Sequence, residues 1–269
     1  MSKGNEYLEE VIGLTRKAGA EALKYYDKNY SIEAKKDDSP VTEADYASED
    51  ILISGLKDTE PGMVAEEAGR VPGETQESYW IVDPLDGTQD FIDKTGEFSV
   101  MVGLLVNGEP TLGVVFAPAR EKLWYAVKGG GAYLLEGGTE SRIEVAGKGN
   151  LEDYVLIASR NHFSPRDEAV ADKLGVQDII RMGSLGIKFC AIAEGRADLV
   201  YYTTDRLGIW DCCAPQVILE EAGGEAFDVK GRGLVYDLDR RRMAHGIVGI
   251  GGENRREVVK ILDSNITEF

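Results

Sequence analysis

Four apolar runs follow one another at residues 98–106, 111–117, 123–127 and 132–135, joined by N-G-E-P, P-A-R-E and G-G-G. Short runs separated by such turn-forming residues are hairpins, so this stretch predicts an antiparallel sheet, with 142–146 as a further strand. The glycines at 129–131 read as a hairpin turn, not a phosphate loop. Near residue 150 the pattern changes. Strands are predicted at 154–158, 179–182, 199–202, 226–229 and 247–250, and helices at 167–174, 184–194, 210–222 and 253–262. Alternation of that kind reads as α/β layering. With 269 residues, 43% of them hydrophobic, the chain suits one large domain or two small ones with a substantial core. The expected division is 1–150, N-terminal helices plus antiparallel sheet, and 151–269, an α/β part.

The region before the meander predicts a helix over 5–28, with Leu8, Val11, Ile12, Ala18, Ala22, Leu23 and Tyr26 close to one stripe. The polar break K-K-D-D-S-P at 35–40 ends it. A second helix is predicted from near Thr42, with Ala44, Ala47, Ile51, Leu52 and Gly55 on one face and Asp45 and Glu49 together on a more polar one. A turn at 58–62, a strand at 63–65 stopping at Glu66-Glu67, and a polar loop at 69–78 complete the approach.

The segment W-I-V-D-P-L-D-G-T-Q-D-F-I at 80–92 combines a strand signal with chemistry. Residues 80–82 read as a buried strand, which breaks at Asp83-Pro84 and again at Asp86-Gly87. Two carboxylates, Asp83 and Asp86, therefore stand three residues apart on a turn that Pro84 stiffens. Gly87 and Thr88 follow with unobstructed N–H groups at the expected start of a short helix, which attracts phosphate. Asp, Pro and Gly are also ordinary turn residues, so the segment alone reads equally as a solvated turn.

Acids end other apolar elements too: Asp45, Glu66 and, in I-W-D-C-C-A, Asp211. Mg²⁺ takes oxygen ligands in near-octahedral geometry and keeps several waters. Carboxylates converging from separate segments would hold such ions about 3.5–4 Å apart, activate a water and stabilise a leaving oxygen. Each acid has an ordinary reading as well. Asp211 suits a helix N-cap, Glu66 and Glu67 a solvated strand end, and Asp45 a first-turn acid favoured by the helix dipole. The formal net charge of −18 argues against nucleic-acid binding by bulk charge. A phosphorylated substrate would need metal cations or a local basic patch to approach. A salt-adapted host would explain the same acidity.

Cys190, Cys212 and Cys213 offer neither a disulfide framework nor a C-x-x-C zinc pair, and read as small core residues. The cytoplasm is the expected compartment. The opening M-S-K-G-N-E-Y-L-E-E lacks the apolar core of a signal peptide, and no apolar run has the length of a membrane span.

V-T-E-A-D at 41–45, A-E-E at 65–67, D-P-L-D-G-T-Q-D-F at 83–91 and W-D-C-C-A-P-Q-V-I-L-E-E-A-G-G at 210–224 resemble, in order and spacing, the signature segments of the inositol monophosphatase superfamily. The resemblance runs from about residue 5 to 262. It implies a layered α-β-α-β-α fold and a Mg²⁺-dependent, lithium-sensitive phosphatase with two to three ions. By it, Glu66, Asp83 and the Leu85 carbonyl would hold the first Mg²⁺, and Asp83, Asp86 and Asp211 the second. Glu66 would hold a third, weaker ion with Asp45 in its outer shell. Thr88, with Glu66 or Asp45, would orient the attacking water, and the Gly87 and Thr88 N–H groups would cradle the phosphate.

G-E-F-S-V at 96–100, S-R-N-H at 159–162 and G-S-L-G-I-K-F-C at 183–190 look most like the 3′(2′),5′-bisphosphate nucleotidase branch. That likeness assigns nucleotide contacts to His162, Ser184 and Lys188. A second phosphate needs its own cation, which Lys188, one helical turn beyond Ser184, or Arg160 would supply. The expected reaction is hydrolysis of adenosine 3′,5′-bisphosphate to AMP and phosphate. Inositol monophosphate or fructose 1,6-bisphosphate hydrolysis is the alternative, and a regulatory Mg²⁺ and phosphate binder the non-enzymatic one. The expected partner is a small phosphorylated molecule, and a homodimer is among the assemblies usual for this size and family.

Overall fold

The computed structural model describes residues 3–28, 30–35 and 39–266. Residues 36–38 of the polar break lie outside the described residues. The chain opens with α1 (Lys3–Tyr26), a small hairpin of β1 (Ile32–Ala34) and β2 (Pro40–Thr42), and α2 (Glu43–Leu56). Then follow β3 (Pro61–Ala65), β4 (Gly69–Val71), β5 (Thr75–Asp86) and the short α3 (Thr88–Ile92). The meander is β6 (Ser99–Val106), β7 (Glu109–Ala117), β8 (Lys122–Val127), β9 (Gly131–Glu136) and β10 (Thr139–Ile143). The last part runs β11 (Val155–Ser159), α4 (Pro165–Leu174), β12 (Asp178–Met182), α5 (Leu185–Ala193), β13 (Leu199–Tyr202) and α6 (Cys213–Glu221). It closes with β14 (Glu225–Phe227), β15 (Ile247–Ile250) and α7 (Arg255–Ile266).

An eight-stranded sheet, ordered β10-β9-β8-β7-β6-β5-β3-β4, holds the meander, and a five-stranded sheet, ordered β12-β11-β13-β15-β14, holds the last part. Helices α1 and α2 cover one face of the large sheet, and α6 lies on the other, along β6 to β9. Helix α5 packs beside α6 and reaches β13 and β15, so this helical layer is shared between the sheets. Its apolar side chains, among them Ile187, Phe189, Val217 and Ile218, belong to one core that also takes in Met101, Val115 and Val200. Helices α4 and α7 close the far side, where Val170, Leu174, Val258 and Leu262 pack with Leu156, Leu199 and Ile250. The result is the α-β-α-β-α sandwich.

Polar sequence hides several elements. The expected loop at 69–78 contains β4 and the start of β5, and the small β1–β2 hairpin was not expected at all. Each is a three-residue strand or a strand end, too short to show an apolar alternation. The break expected at Asp83-Pro84 is a bulge within a longer strand. Pairing with β6 passes from Asp83↔Met101 to Asp86↔Ser99, so one extra residue is accommodated where Pro84 has no N–H to donate. In α2, the two acids expected on the polar face, Asp45 and Glu49, are buried, and Ser48, Leu52 and Leu56 are buried with them. Of the predicted stripe, Ala44 and Leu52 are buried, whereas Ala47, Ile51 and Gly55 are half-buried, and Gly55 lies against Leu14 of α1. Helix α6 starts at Cys213, not Trp210.

Candidate metal centre

The bulge at the end of β5 presents Asp83 and Asp86, 1% and 8% exposed. It is braced from two sides: the Leu85 N–H donates to Asp83 Oδ1 (3.0 Å), and Ser48 Oγ of α2 donates to the Pro84 carbonyl (2.7 Å). Asp211 arrives from the turn before α6. It does not cap that helix, since Cys212 is the N-cap residue; instead its Oδ2 accepts from the Gly208 N–H (2.5 Å). Carboxylate oxygens of Asp83, Asp86 and Asp211 all lie within 4.8 Å of one another. Three of the expected ligands therefore meet, from the end of β5 and the turn before α6, more than 120 residues apart in sequence.

Glu66 stands at the edge of this group, in the turn after β3. Lys35 Nζ sits 2.7 Å from its Oε1 and also bridges to Glu67. The turn itself is held by Glu49 of α2, whose carboxylate accepts from the N–H groups of Glu67 (2.9 Å) and Ala68 (3.0 Å). Burial, with mutual repulsion, raises the acids. Asp211 is pushed to about 7 by burial and then by the Asp86 charge. Glu66 is pushed to about 8 by burial, with Lys35 opposing and Asp211 adding. Asp83 is raised by burial and by the charges of Glu66, Asp86 and Asp211.

Asp45 divides its two oxygens between structure and site. Oδ2 accepts from the Thr42 N–H (2.8 Å) and Oγ1 (2.7 Å), completing a capping box at the start of α2. Oδ1 faces Thr88 Oγ1 at 3.1 Å, and that hydroxyl is also 3.2 Å from the Leu85 carbonyl. Burial raises the Asp45 carboxyl to about 6 despite the bonds from Thr42. Gly87 precedes α3 with φ 89°, and a Cβ there would stand 2.9 Å from the Glu97 carbonyl oxygen and 3.2 Å from the Ser184 nitrogen. Only glycine meets both conditions, and the bare backbone leaves room beside Thr88.

The three residues expected to contact a nucleotide are placed differently from one another. Ser184 is buried, and its hydroxyl is engaged by Asp86 Oδ2 (2.5 Å), Ser99 Oγ (2.9 Å) and the Ile187 N–H (3.1 Å). Lys188 is 2% exposed, with Nζ 3.3 Å from the Ser184 carbonyl and 5.6 Å from the Tyr202 ring centre. His162 is exposed, and its main-chain N–H donates to Ser159 Oγ (3.2 Å). Arg160, the other candidate cation, pairs with Glu97 (2.6 Å) and Asp90 (3.4 Å). Lys35, Ser48, Glu97 and Ser99 were not singled out from the sequence, and Glu49 was placed only on the polar face of α2. Lys35 was hidden in a polar break, and Ser99 and Glu97 carried no signal beyond their place in G-E-F-S-V.

A family model described as the inositol monophosphatase family matches residues 4–265. The chain is 36% identical to the 3′(2′),5′-bisphosphate nucleotidase CysQ of Salmonella typhimurium, over 85% of this chain and 93% of that protein. Among solved structures, an IMPase of Thermotoga maritima superposes with a TM-score of 0.84 at 27% identity, covering 98% of this chain and 99% of the other. CysQ of Bacteroides thetaiotaomicron superposes with a TM-score of 0.78 at 29% identity, covering 94% of this chain and 99% of the other. The chain belongs to the inositol monophosphatase family. It is a phosphatase, and the family is metal-dependent.

The donor set fits a hard divalent cation. Its oxygens come from carboxylates, two of them almost fully buried, and the charges that burial and proximity disfavour are those a dication would neutralise. No helix among the described residues is long and apolar enough to cross a membrane.

Proposed function

We propose that the protein is a Mg²⁺-dependent phosphomonoesterase that removes the 3′-phosphate from adenosine 3′,5′-bisphosphate, giving AMP and phosphate. The observation that carries this reading is the convergence of Asp83, Asp86 and Asp211 beside Gly87 and Thr88. Likeness to two CysQ proteins supports the nucleotide as substrate. Glu66, Asp83 and the Leu85 carbonyl would hold one Mg²⁺, Asp83, Asp86 and Asp211 a second, and Glu66 a third and weaker one. Bound there, Mg²⁺ supplies positive charge against the carboxylates and polarises the phosphoryl oxygens.

The chain's own groups do the rest. The Gly87 and Thr88 N–H groups receive the phosphate. Thr88 Oγ1 orients the attacking water, and Asp45 Oδ1, 3.1 Å away, accepts a proton through that hydroxyl. A carboxyl raised to about 6 is better matched to that task near neutral pH than an ordinary one. Inhibition by Li⁺ belongs to the same reading. So does a cytoplasmic location, which suits three buried free cysteines.

One observation favours a second substrate, an inositol monophosphate or fructose 1,6-bisphosphate. Lys188 and the Ser184 hydroxyl, assigned to the nucleotide, are buried and hydrogen-bonded within the protein. A phosphate-release panel with the three substrates, with and without Mg²⁺ and Li⁺, separates the readings. The expected result is Mg²⁺-dependent, Li⁺-inhibited release, fastest from the nucleotide. Preference for inositol phosphate or fructose bisphosphate would transfer the assignment to the second reading. No release from any of them would remove the phosphatase chemistry.

A further inference from the structure

A buried glutamate outside the carboxylate cluster ties together three segments around it. Glu97, on the link between α3 and β6, is 7% exposed. Its Oε1 accepts from Arg120 (2.8 Å), at the corner between β7 and β8. Its Oε2 accepts from Arg160 (2.6 Å), after β11, and from the Gly183 N–H (2.7 Å), between β12 and α5. Burial opposes its ionisation, but Arg160, the Gly183 N–H and Arg120 together hold the carboxyl below its ordinary range. Its main-chain oxygen also bounds the space beside Gly87.

The Gly183–Ser184 turn that Glu97 grips is not a relaxed one. Ser184 has φ 46° and ψ 121°, a conformation an L residue holds only when its surroundings impose it. Gly183 cannot carry a side chain, because a Cβ would stand 2.2 Å from Asp90 Cγ. What the turn delivers is a pair of donors for one atom. Ser184 Oγ (2.5 Å) and the Gly186 N–H (2.8 Å) both bind Asp86 Oδ2, with Ser99 Oγ at 3.4 Å from the same oxygen. Asp86 is thereby fixed through Oδ2, with Oδ1 outside that set of bonds. The chain of contacts is continuous: Glu97 to the Gly183 N–H, the turn to Ser184, and Ser184 to Asp86.

We infer that Glu97 is a positioning residue for the metal centre: by clamping the Gly183–Ser184 turn between Arg120 and Arg160 it fixes the hydroxyl that orients Asp86, and so sets divalent-cation affinity without touching ion or substrate. The inference rests on the metal-centre reading given above. Partners that orient a ligand are commonly worth 10–100-fold in metal affinity, and a residue acting one contact further out belongs at the low end of that range.

The test is titration calorimetry of Mg²⁺ into the full-length, metal-free protein. Wild type is compared with Glu97→Gln, Ser184→Ala and the double variant, each checked for fold by circular dichroism. Glu97→Gln is expected to weaken Mg²⁺ binding about tenfold, while kcat at saturating Mg²⁺ stays within about twofold of wild type. Because Glu97 acts through Ser184, the double variant should bind Mg²⁺ no more weakly than the weaker single variant by more than about twofold. Wild-type affinity in Glu97→Gln, or losses that multiply in the double variant, would overturn the inference and leave the metal reading intact. Failure of wild type itself to bind Mg²⁺ would remove both. If Glu97→Gln does not fold, Arg120→Gln loosens one arm of the same carboxylate; about threefold weaker binding is then expected, and unchanged binding overturns the inference.

Discussion

Asp83 shows how one side chain serves conflicting demands. It is 1% exposed, braced by the Leu85 N–H, and faces the charges of Glu66, Asp86 and Asp211. Folding brings these charges together at an electrostatic penalty that a hydrophobic residue would not incur, which is the mark of a site arranged for a ligand. Replacing Asp83 or Asp211 by Asn keeps the shape and removes one charge. Each variant is expected to lose more than about 100-fold in Mg²⁺-dependent phosphate release. Without metal near pH 8, each should melt at or above the wild-type temperature, because a disfavoured buried charge is gone. Normal turnover by either variant would contradict its role as a ligand. Asp45 makes the same point on a smaller scale, since one oxygen caps α2 and the other is kept for Thr88.

At the scale of elements, the site depends on how closely α6 approaches the large sheet. Gly103 on β6 and Gly113 on β7 make that approach possible: a Cβ at Gly113 would stand 2.2 Å from the Ala214 carbonyl oxygen, and one at Gly103 would stand 2.6 Å from Cys213 Sγ. Gly113→Ala must push α6 away from the sheet, and the turn carrying Asp211 goes with it. We expect destabilisation of about 1–3 kcal/mol in chemical denaturation, with a rise in the Mg²⁺ concentration needed for half-maximal activity. Unchanged values for both would show that α6 is free to shift. The hairpins from β6 to β9 were legible in the sequence because alternating apolar strands and glycine or proline turns coincide. The bulge at Pro84 was legible as a break but not as a continuation, since a missing N–H looks the same in either case. Helix α2 misled for a physical reason. Apolar periodicity finds the face that packs on α1, whereas the face toward the site carries Asp45, Ser48 and Glu49 and looks solvated. The D-P-L-D-G-T segment and the Asp211 motif were readable as candidate ligands. Lys35 and Glu97 were not, because a cation in a polar break and an acid in a link become meaningful only when distant partners are in place.

For the whole molecule, the centre links stability to pH and to metal. Glu66 near 8, Asp211 near 7 and the raised Asp83 all lie above the ordinary carboxylate range of about 4. Between about pH 4 and pH 8 the folded metal-free protein therefore binds more protons than the unfolded chain, so these groups make its stability fall as pH rises. On the proposed reading, Mg²⁺ would take the place of those protons and bind only the folded arrangement. Thermal melts with and without Mg²⁺ should show a larger upward shift near pH 8 than near pH 5.5, and equal shifts would contradict the linkage. The layered fold contributes by bringing a strand end of the large sheet and the start of a shared helix to one place. The most direct measurement is anomalous diffraction from a crystal soaked in Mn²⁺, which takes the same oxygen ligands as Mg²⁺. The account predicts a strong peak enclosed by Asp83, Asp86 and Asp211; an empty cluster in a well-ordered crystal, or a peak only elsewhere on the surface, would contradict it.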